Sequence, residues 1–352
     1  MSGPRSASGR SQEEAVASFL VGMEGRQMDG NRERPDEDKV DDESDVLDEV
    51  YRKYENSNPF LPITGFIDHS TMGAEALVEL GLGDRVRQWV ARHRVRPYQA
   101  PLTGIPLPSR WTEAIGRRDC HGDWIRHFQE ELNGHSAQEV LAEWVPRFAH
   151  EVGAFLFHGL IRTAHADRAL AKKDTPARRG ELARGLALWA IGVRSVPKEG
   201  DQTAGAATEP GPDVLDYARF GAAAFVDSPN VPKLHLVTGP MAYLLLARHL
   251  DEGTHRIARR SFAQTHHGAA QRFEALKQKV YKRPNGSFDR KHLEPLAQTR
   301  DAHPSKLTEA ARRAYTLSKD ELFLKAAGLA LDLHGPRALL AVVKGLLLRK
   351  TG

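Results

Sequence analysis

Apolar positions recur at helical spacing along almost the whole chain. In "DVLDEVYRKYE", Val46, Leu47, Val50 and Tyr54 fall on one face of a 3.6-residue period. Val86, Trp89 and Val90 do the same in "GDRVRQWVARHRV". Between these, "DHSTMGAEALVELG" offers Asp68 or Ser70 as a cap and a glycine as a stop. "DWIRHFQEELN" predicts a helix closing near Gly134, and "SAQEVLAEWVPRFA" predicts one opened by a Ser136–Glu139 capping box. "EVGAFLFHGLIRTAHADRALAKK" is apolar nearly all round in its first half, as a central buried helix would be. The pattern continues through "PARRGELARGLALWAIGV", "THRIARRSFAQTHHGAAQRFEALKQKV", the residues from about Asp301 to Tyr315, "SKDELFLKAAGLAL" and "GPRALLAVVKGLLLRK".

Three stretches break the period. "PYQAPLTGIPLPSRW" and "PKEGDQTAGAATEPGP" carry too much Pro and Gly for regular structure, and "RPNGSF" reads as a turn. "PKLHLVTGPMAYLLLARHL" predicts a loop or short turn around His235 and then a helix from Pro240, since proline suits a first helical turn. Strand pairs with hairpin signals, a βαβ rhythm and a fixed-period repeat are all lacking. The predicted fold class is therefore all-α. A single compact multi-helical domain over residues 43–352 follows a disordered N-terminal leader over residues 1–42, where "MDGNRERPDEDKVDDESD" has almost nothing to bury.

Charge and composition narrow the partners. The formal charge is +4 over 352 residues and the basic residues are scattered, without interleaved aromatics, so no nucleic-acid partner is expected. The single cysteine, Cys120, leaves no intrachain disulfide or Cys-rich zinc motif and fits a reducing cytoplasm. Neither a secretory signal nor a stretch of about 18 apolar residues is present, so no membrane association is expected. Oligomeric state stays open, although the apolar last helix could form an interface. Phosphate-binding glycine loops, the GxSxG elbow and HExxH are missing.

Histidine is the unusual residue, at 16 copies. His158 sits among Phe155, Leu156, Phe157, Leu160 and Ile161; its plainer role is a core histidine bonded to a carbonyl, but a buried imidazole needs some partner. Gly159 beside it allows something to approach closely. His165 lies two turns on, about 10.5 Å of rise, too far to share a ligand except from opposite sides. His69 stands at a loop-to-helix junction, where neighbouring Asp68 could orient a ligand and a helix cap is the simpler alternative. His235, if extended, would point away from Leu234 and Leu236, toward solvent at an edge. His303 and Lys306 share a face at i, i+3. An ammonium cannot ligate a metal. Lys306 would serve only by losing its proton or by taking up carbon dioxide as an N-carboxylate; otherwise it is a solvated helix lysine.

Four stretches, "FIDHSTMGAEALVELG", "FHGLIRTAHADRAL", "LHLVTGPMA" and "DAHPSKLTEA", in this order, resemble the questin oxidase-like family, over roughly residues 45 to 345. The resemblance implies an oxygenase, either a dioxygenase or of the Baeyer–Villiger type, that oxidises or opens a ring of an anthraquinone-like polycyclic aromatic polyketide, a small-molecule substrate. It implies a mononuclear non-haem iron site of His69, His158, His235, His303 and a carboxylated Lys306, the last two through an Asp-x-His-x-x-Lys pattern with Asp301. Fe(II) and dioxygen are the expected cofactors, with Mn, Ni or Zn open as substitutes. Imidazole and carboxylate donors suit Fe(II), and five of them leave one octahedral position free. One departure stands out: fungal relatives tend to carry a second histidine four residues after His158, where this chain has Arg162, a permanent charge near the pocket. His165 would partly replace that histidine. Asp68 and Asp301 are expected near the ligands, and Phe157, Met241 and Tyr243, with Trp189, as pocket walls, each with core packing as the simpler role. Two alternatives remain at this level: a metal-free, NADPH-assisted Baeyer–Villiger-type monooxygenase on the same substrate class, and a non-catalytic helical binding or scaffold protein.

Overall fold

The computed structural model describes residues 37–61, 67–107, 109–196, 212–273 and 287–330. Among them the chain forms fourteen α-helices, a few single 3₁₀ turns and no strand beyond two isolated bridges. The helices are α1 (Glu37–Tyr54), α2 (Ser70–Glu79), α3 (Gly83–Ala91), α4 (Trp111–Ala114), α5 (His121–Gly134), α6 (Ala137–Phe148), α7 (His158–Lys172), α8 (Pro176–Ala190), α9 (Val214–Asp227), α10 (Val231–Leu246), α11 (Glu252–Phe273), α12 (Arg290–Leu293), α13 (His303–Ser318) and α14 (Leu322–Ala330). The all-α expectation holds, and so do the apolar faces of α1 and α3 and the capping box of α6. No helix among the described residues is long and apolar enough to cross a membrane.

Four helices form the frame of the site. α2 packs on α7 and α13, and α10 packs on the same two, closing a ring. The other helices buttress it: α8 lies along α7, α9 along α10, α14 along α13, and α1 and α3 along α2. α7, α8 and α10 are buried on nearly every side; α10 is apolar nearly all round, while α7 and α8 bury charged side chains as well. Two glycines set the closest approaches. A Cβ on Gly159 would stand 2.4 Å from the Trp189 Cα, so only glycine lets α7 and α8 meet there. A Cβ on Gly73 would stand 2.5 Å from the Cβ of Ala302, so Gly73 brings the start of α13 against α2.

A buried layer of charge ties the ring together two turns inside it. Arg168 of α7 donates through Nε and Nη2 to the two oxygens of Glu75 on α2, at 2.7 Å each, and through Nη1 to Glu309 on α13 at 2.5 Å. Arg313 donates to the same Glu309 at 2.6 Å and to the Met241 carbonyl of α10 at 2.6 Å. Two guanidiniums thus link all four helices. Every ionic group here is matched, which a buried pair requires.

Three expectations change. The central helix begins at His158 and not at Glu151, because Phe155, Leu156 and Phe157 take left-handed φ values of 47°, 56° and 66°. Such values cost non-glycine residues roughly 1–2 kcal/mol each; the Phe157 ring, fully buried and stacked 5.8 Å from Phe262, offsets part of that. Around His235 the chain is helical from Val231, ahead of the expected start at Pro240. Pro240 removes the donor that would bond the Leu236 carbonyl, and His266 Nε2, 3.0 Å away, takes that carbonyl instead. Helix α1 opens at Glu37, inside the expected leader. The rest of that leader, the "PKEGDQTAGAATEPGP" loop, the "RPNGSF" turn and the last apolar helix lie wholly or largely outside the described residues.

Two outcomes follow from this packing. Gly159→Ala should lower the unfolding free energy by about 1–3 kcal/mol, the usual cost of overpacking. Gly134→Ala, with open space around its Cβ, should not destabilise. Equal urea midpoints for the two variants would refute the close approach. Glu75 is fully buried, which pushes its carboxyl up, but Arg168 and His165 pull it down to about 2. A carboxyl held below its unfolded value of 4.5 stabilises the fold above that pH and loses the contribution as pH falls toward 2. The contribution is on the order of 3 kcal/mol. Glu75→Gln should be less stable at pH 7 and should show a shallower loss of stability between about pH 5 and pH 2. Parallel stability-versus-pH curves for wild type and variant would rule this out.

Candidate metal centre

The four ring helices present their N-terminal ends to one point. His69 is the cap residue of α2, His158 and His303 are the first residues of α7 and α13, and His235 lies in the second turn of α10. The donor nitrogens of His69, His158 and His235 all lie within 4.8 Å of one another. The Nε2 atoms of His69 and His158 are in hydrogen-bond contact, 2.5 Å apart. The His303 ring meets His69 edge-on with centroids 4.3 Å apart, and His235 at 5.2 Å. Lys306, one turn into α13, is fully buried.

Each of three imidazoles is oriented from behind through Nδ1. His235 donates to the Val231 carbonyl at 2.8 Å, and His303 to Asp301 Oδ1 at 2.6 Å. His158 donates to the carbonyl of Phe155, the first of the left-handed residues. These bonds place the ring proton on Nδ1 and leave Nε2 with its lone pair toward the cluster. His235 Nε2, His303 Nε2 and Lys306 Nζ are buried and have no partner in the protein. Leaving each so would cost about 1–3 kcal/mol.

Electrostatics disfavour the charged forms of His69, His158, His235 and Lys306. Burial, followed by the charge of Lys306, holds the His69 and His158 pKa well below 6.5. His69 retains some solvent exposure, yet its ring faces the other three imidazoles and Lys306. For His235 the causes are burial, then His158 and Lys306. Burial brings Lys306 down to about 7, against a small opposing pull from Asp301. Three imidazoles held unprotonated, the unpartnered Nε2 of His303 and an amine poised to lose its proton form a donor set that suits a divalent transition metal. The four helix heads add partial positive charge, so the site also favours an anion beside such a cation.

The remaining expected residues have other places. Asp301 stands behind His303, accepting from both its backbone N–H and its ring. Asp68 is not behind a ligand: one oxygen accepts the Ser70 N–H at 2.8 Å, capping α2, and the other pairs with Arg96. His165 belongs to the ion layer below, with Nδ1 2.6 Å from Glu75. Arg162 gives no free charge to the cluster, since Glu181 takes its fork at 2.7 and 2.9 Å. Phe157, Met241, Tyr243 and Trp189 are all fully buried between helices. Phe157 fills the space over Gly239, and the Tyr243 hydroxyl bonds His255 at 2.7 Å. They hold the frame, and none of them lines the cavity around Tyr98, His121 and Arg184. The orienting carbonyls of Phe155 and Val231 have no signature in side-chain pattern; only the Val231–His235 spacing of four, once α10 is known to be helical, could point to one of them.

Comparisons with protein-family profiles, with curated proteins and with solved structures find no match. The chemistry of the cluster is carried by its donor atoms and by the four motifs that supply them.

Proposed function

We propose that the protein is an oxygen-dependent oxidoreductase acting on an anthraquinone-like polycyclic aromatic polyketide at a mononuclear non-haem iron centre. His69, His158, His235, His303 and a carboxylated Lys306 would hold the metal. The observation that carries this reading is the convergence of four imidazoles and one lysine from four helix heads, with three of their buried nitrogens lacking any protein partner. Bound iron would supply the redox chemistry with dioxygen that no side chain here can provide. Mn, Ni or Zn would find the same donors.

The chain's own groups have defined tasks in this reading. The Val231 and Phe155 carbonyls and the Asp301 carboxylate hold three rings in the ligating tautomer. Lys306 is buried and half deprotonated near neutral pH. A free amine there can add carbon dioxide, forming an N–C bond and releasing a proton, to become an anionic oxygen ligand. The product would place negative charge where four helix dipoles favour it.

Protein purified without a histidine tag should contain about one equivalent of iron, and chelator should abolish oxygen consumption with an anthraquinone. Iron below about a tenth of an equivalent, with turnover indifferent to chelator, would defeat the metal reading in favour of a metal-free one. Lys306→Ala should lose most of its iron and turnover, with partial recovery in added acetate or bicarbonate. Full iron and full turnover in that variant would remove Lys306 from the ligands. Asp301→Asn should weaken metal binding by about 10–100-fold in chelator competition while leaving the fold intact; unchanged affinity would remove its orienting role.

A further inference from the structure

A cavity of about 360 Å³ has Pro59, Tyr98, His121, Arg162 and Arg184 in its wall, and none of the cluster histidines lines it. Small-molecule sites occupy roughly 300–1,000 Å³. Two of the lining residues lead directly to the cluster. Arg162 is one turn beyond His158 on α7, and the Pro59 carbonyl accepts the N–H of Asp68, the chain neighbour of His69, at 2.7 Å.

The inner wall carries an excess of unmatched donors. Arg162 and Glu181 occupy each other's polar atoms. Arg184, one turn further along α8 and 9 % exposed, has no carboxylate of its own. Its Nε donates to the Glu55 carbonyl at 2.9 Å, and its Nη1 is buried without a partner. Burial disfavours this guanidinium's charge, Glu181 favours it, and Arg162 opposes it; an arginine nonetheless keeps its proton. His121 is buried beside the two arginines, and burial followed by their charges lowers its pKa to about 3, so the ring is neutral. The Tyr98 hydroxyl lies 3.2 Å from His121 Nδ1. With that hydroxyl donating, the imidazole proton sits on Nε2, which is also buried and unpartnered. Of the remaining charges, Arg126 pairs with Asp123, and Glu55 is exposed at the rim.

We propose that this cavity binds an aromatic carboxylate, its carboxylate received by the Arg184 guanidinium and the His121 imidazole at the inner wall and its ring system by the rest of the lining. A guanidinium fork and a neighbouring N–H match the two oxygens of a carboxylate, which an uncharged quinone does not offer. Tyr98 and Ile125 supply the apolar surface for the rings. This assignment narrows the substrate class of the proposed oxidoreductase and rests on that reading for its purpose. The recognition itself involves no metal ligand.

The test is calorimetric titration of the purified full chain with 2-naphthoate and with 2-naphthamide, which keeps the shape and removes the charge. Naphthoate should bind about tenfold or more tighter, as a charge-assisted pair implies. Arg184→Met should abolish that preference with an unchanged circular dichroism spectrum. No naphthoate binding, equal affinity for the two compounds, or a preference that survives Arg184→Met would each overturn the proposal. Should Arg184→Met fail to fold, the two wild-type affinities decide alone. Iron measured on the same samples separates the outcomes: a carboxylate preference without iron keeps the pocket and sinks the iron centre, and iron without the preference does the reverse.

Discussion

The arrangement of the site depends on the two guanidiniums of Arg168 and Arg313. Four helices that all begin at one point repel one another electrostatically, because each brings the positive end of its dipole. Hydrophobic burial can hold such helices together without choosing their relative heights. The fork of Arg168 does choose, since both oxygens of Glu75 and one of Glu309 must be reached from a single planar group. Arg313 extends the same layer to the Met241 carbonyl and so to α10. Glu75 and Glu309 lie six residues from His69 and His303, about 9 Å along the axis, and Arg168 lies ten residues from His158, about 15 Å. At that depth the layer sets the heads without competing for the donor nitrogens.

The same field explains the protonation state of the cluster. Desolvation penalises every charged form at once, and Lys306 adds to the penalty for the neighbouring imidazoles. His69, His158 and His235 therefore stay neutral, and the rings of His158, His235 and His303 have their tautomer chosen from behind by a carbonyl or a carboxylate. One of those carbonyls belongs to Phe155, a residue held in the left-handed region. Strain in the approach to α7 thus serves the site directly, by turning the chain so that His158 opens the helix with an acceptor already behind its ring.

How much of this could be read from the residues differs from place to place. The helices were legible wherever one face was apolar and the other polar, as in α1, α3 and α6. The reading failed where proline and aromatic residues stood in fully buried surroundings. Pro240 looked like a helix start because a proline inside a helix normally costs a hydrogen bond; the bond is replaced by His266, thirty residues further along the chain. The "EVGAFLF" run looked helical because its residues are apolar, yet in the left-handed turn only Phe157 is fully buried and Phe155 and Leu156 are half-buried. Among the site residues, the spacing of His303 and Lys306 announced a shared face, and Asp301 entered only through the resemblance. The roles expected of Arg162 and Asp68 were wrong in one way. Each was judged by its own charge, and each has that charge taken by a partner, Glu181 for the first and Arg96 for the second.

By itself the sequence determined the elements: which segments are helical, which faces are apolar, and which few histidines stand among apolar neighbours. These are local properties, set by period and composition within a turn or two. Only the tertiary structure decided that His69, His158, His235 and His303, spread over more than two hundred residues, meet at one point, and that Lys306 is buried there and not solvated. That decision belongs to long-range contacts, above all the glycine approaches at Gly73 and Gly159 and the buried arginine layer. A periodic pattern fixes which way a side chain faces on its own helix; it carries no information about how far along a neighbouring helix that side chain will land.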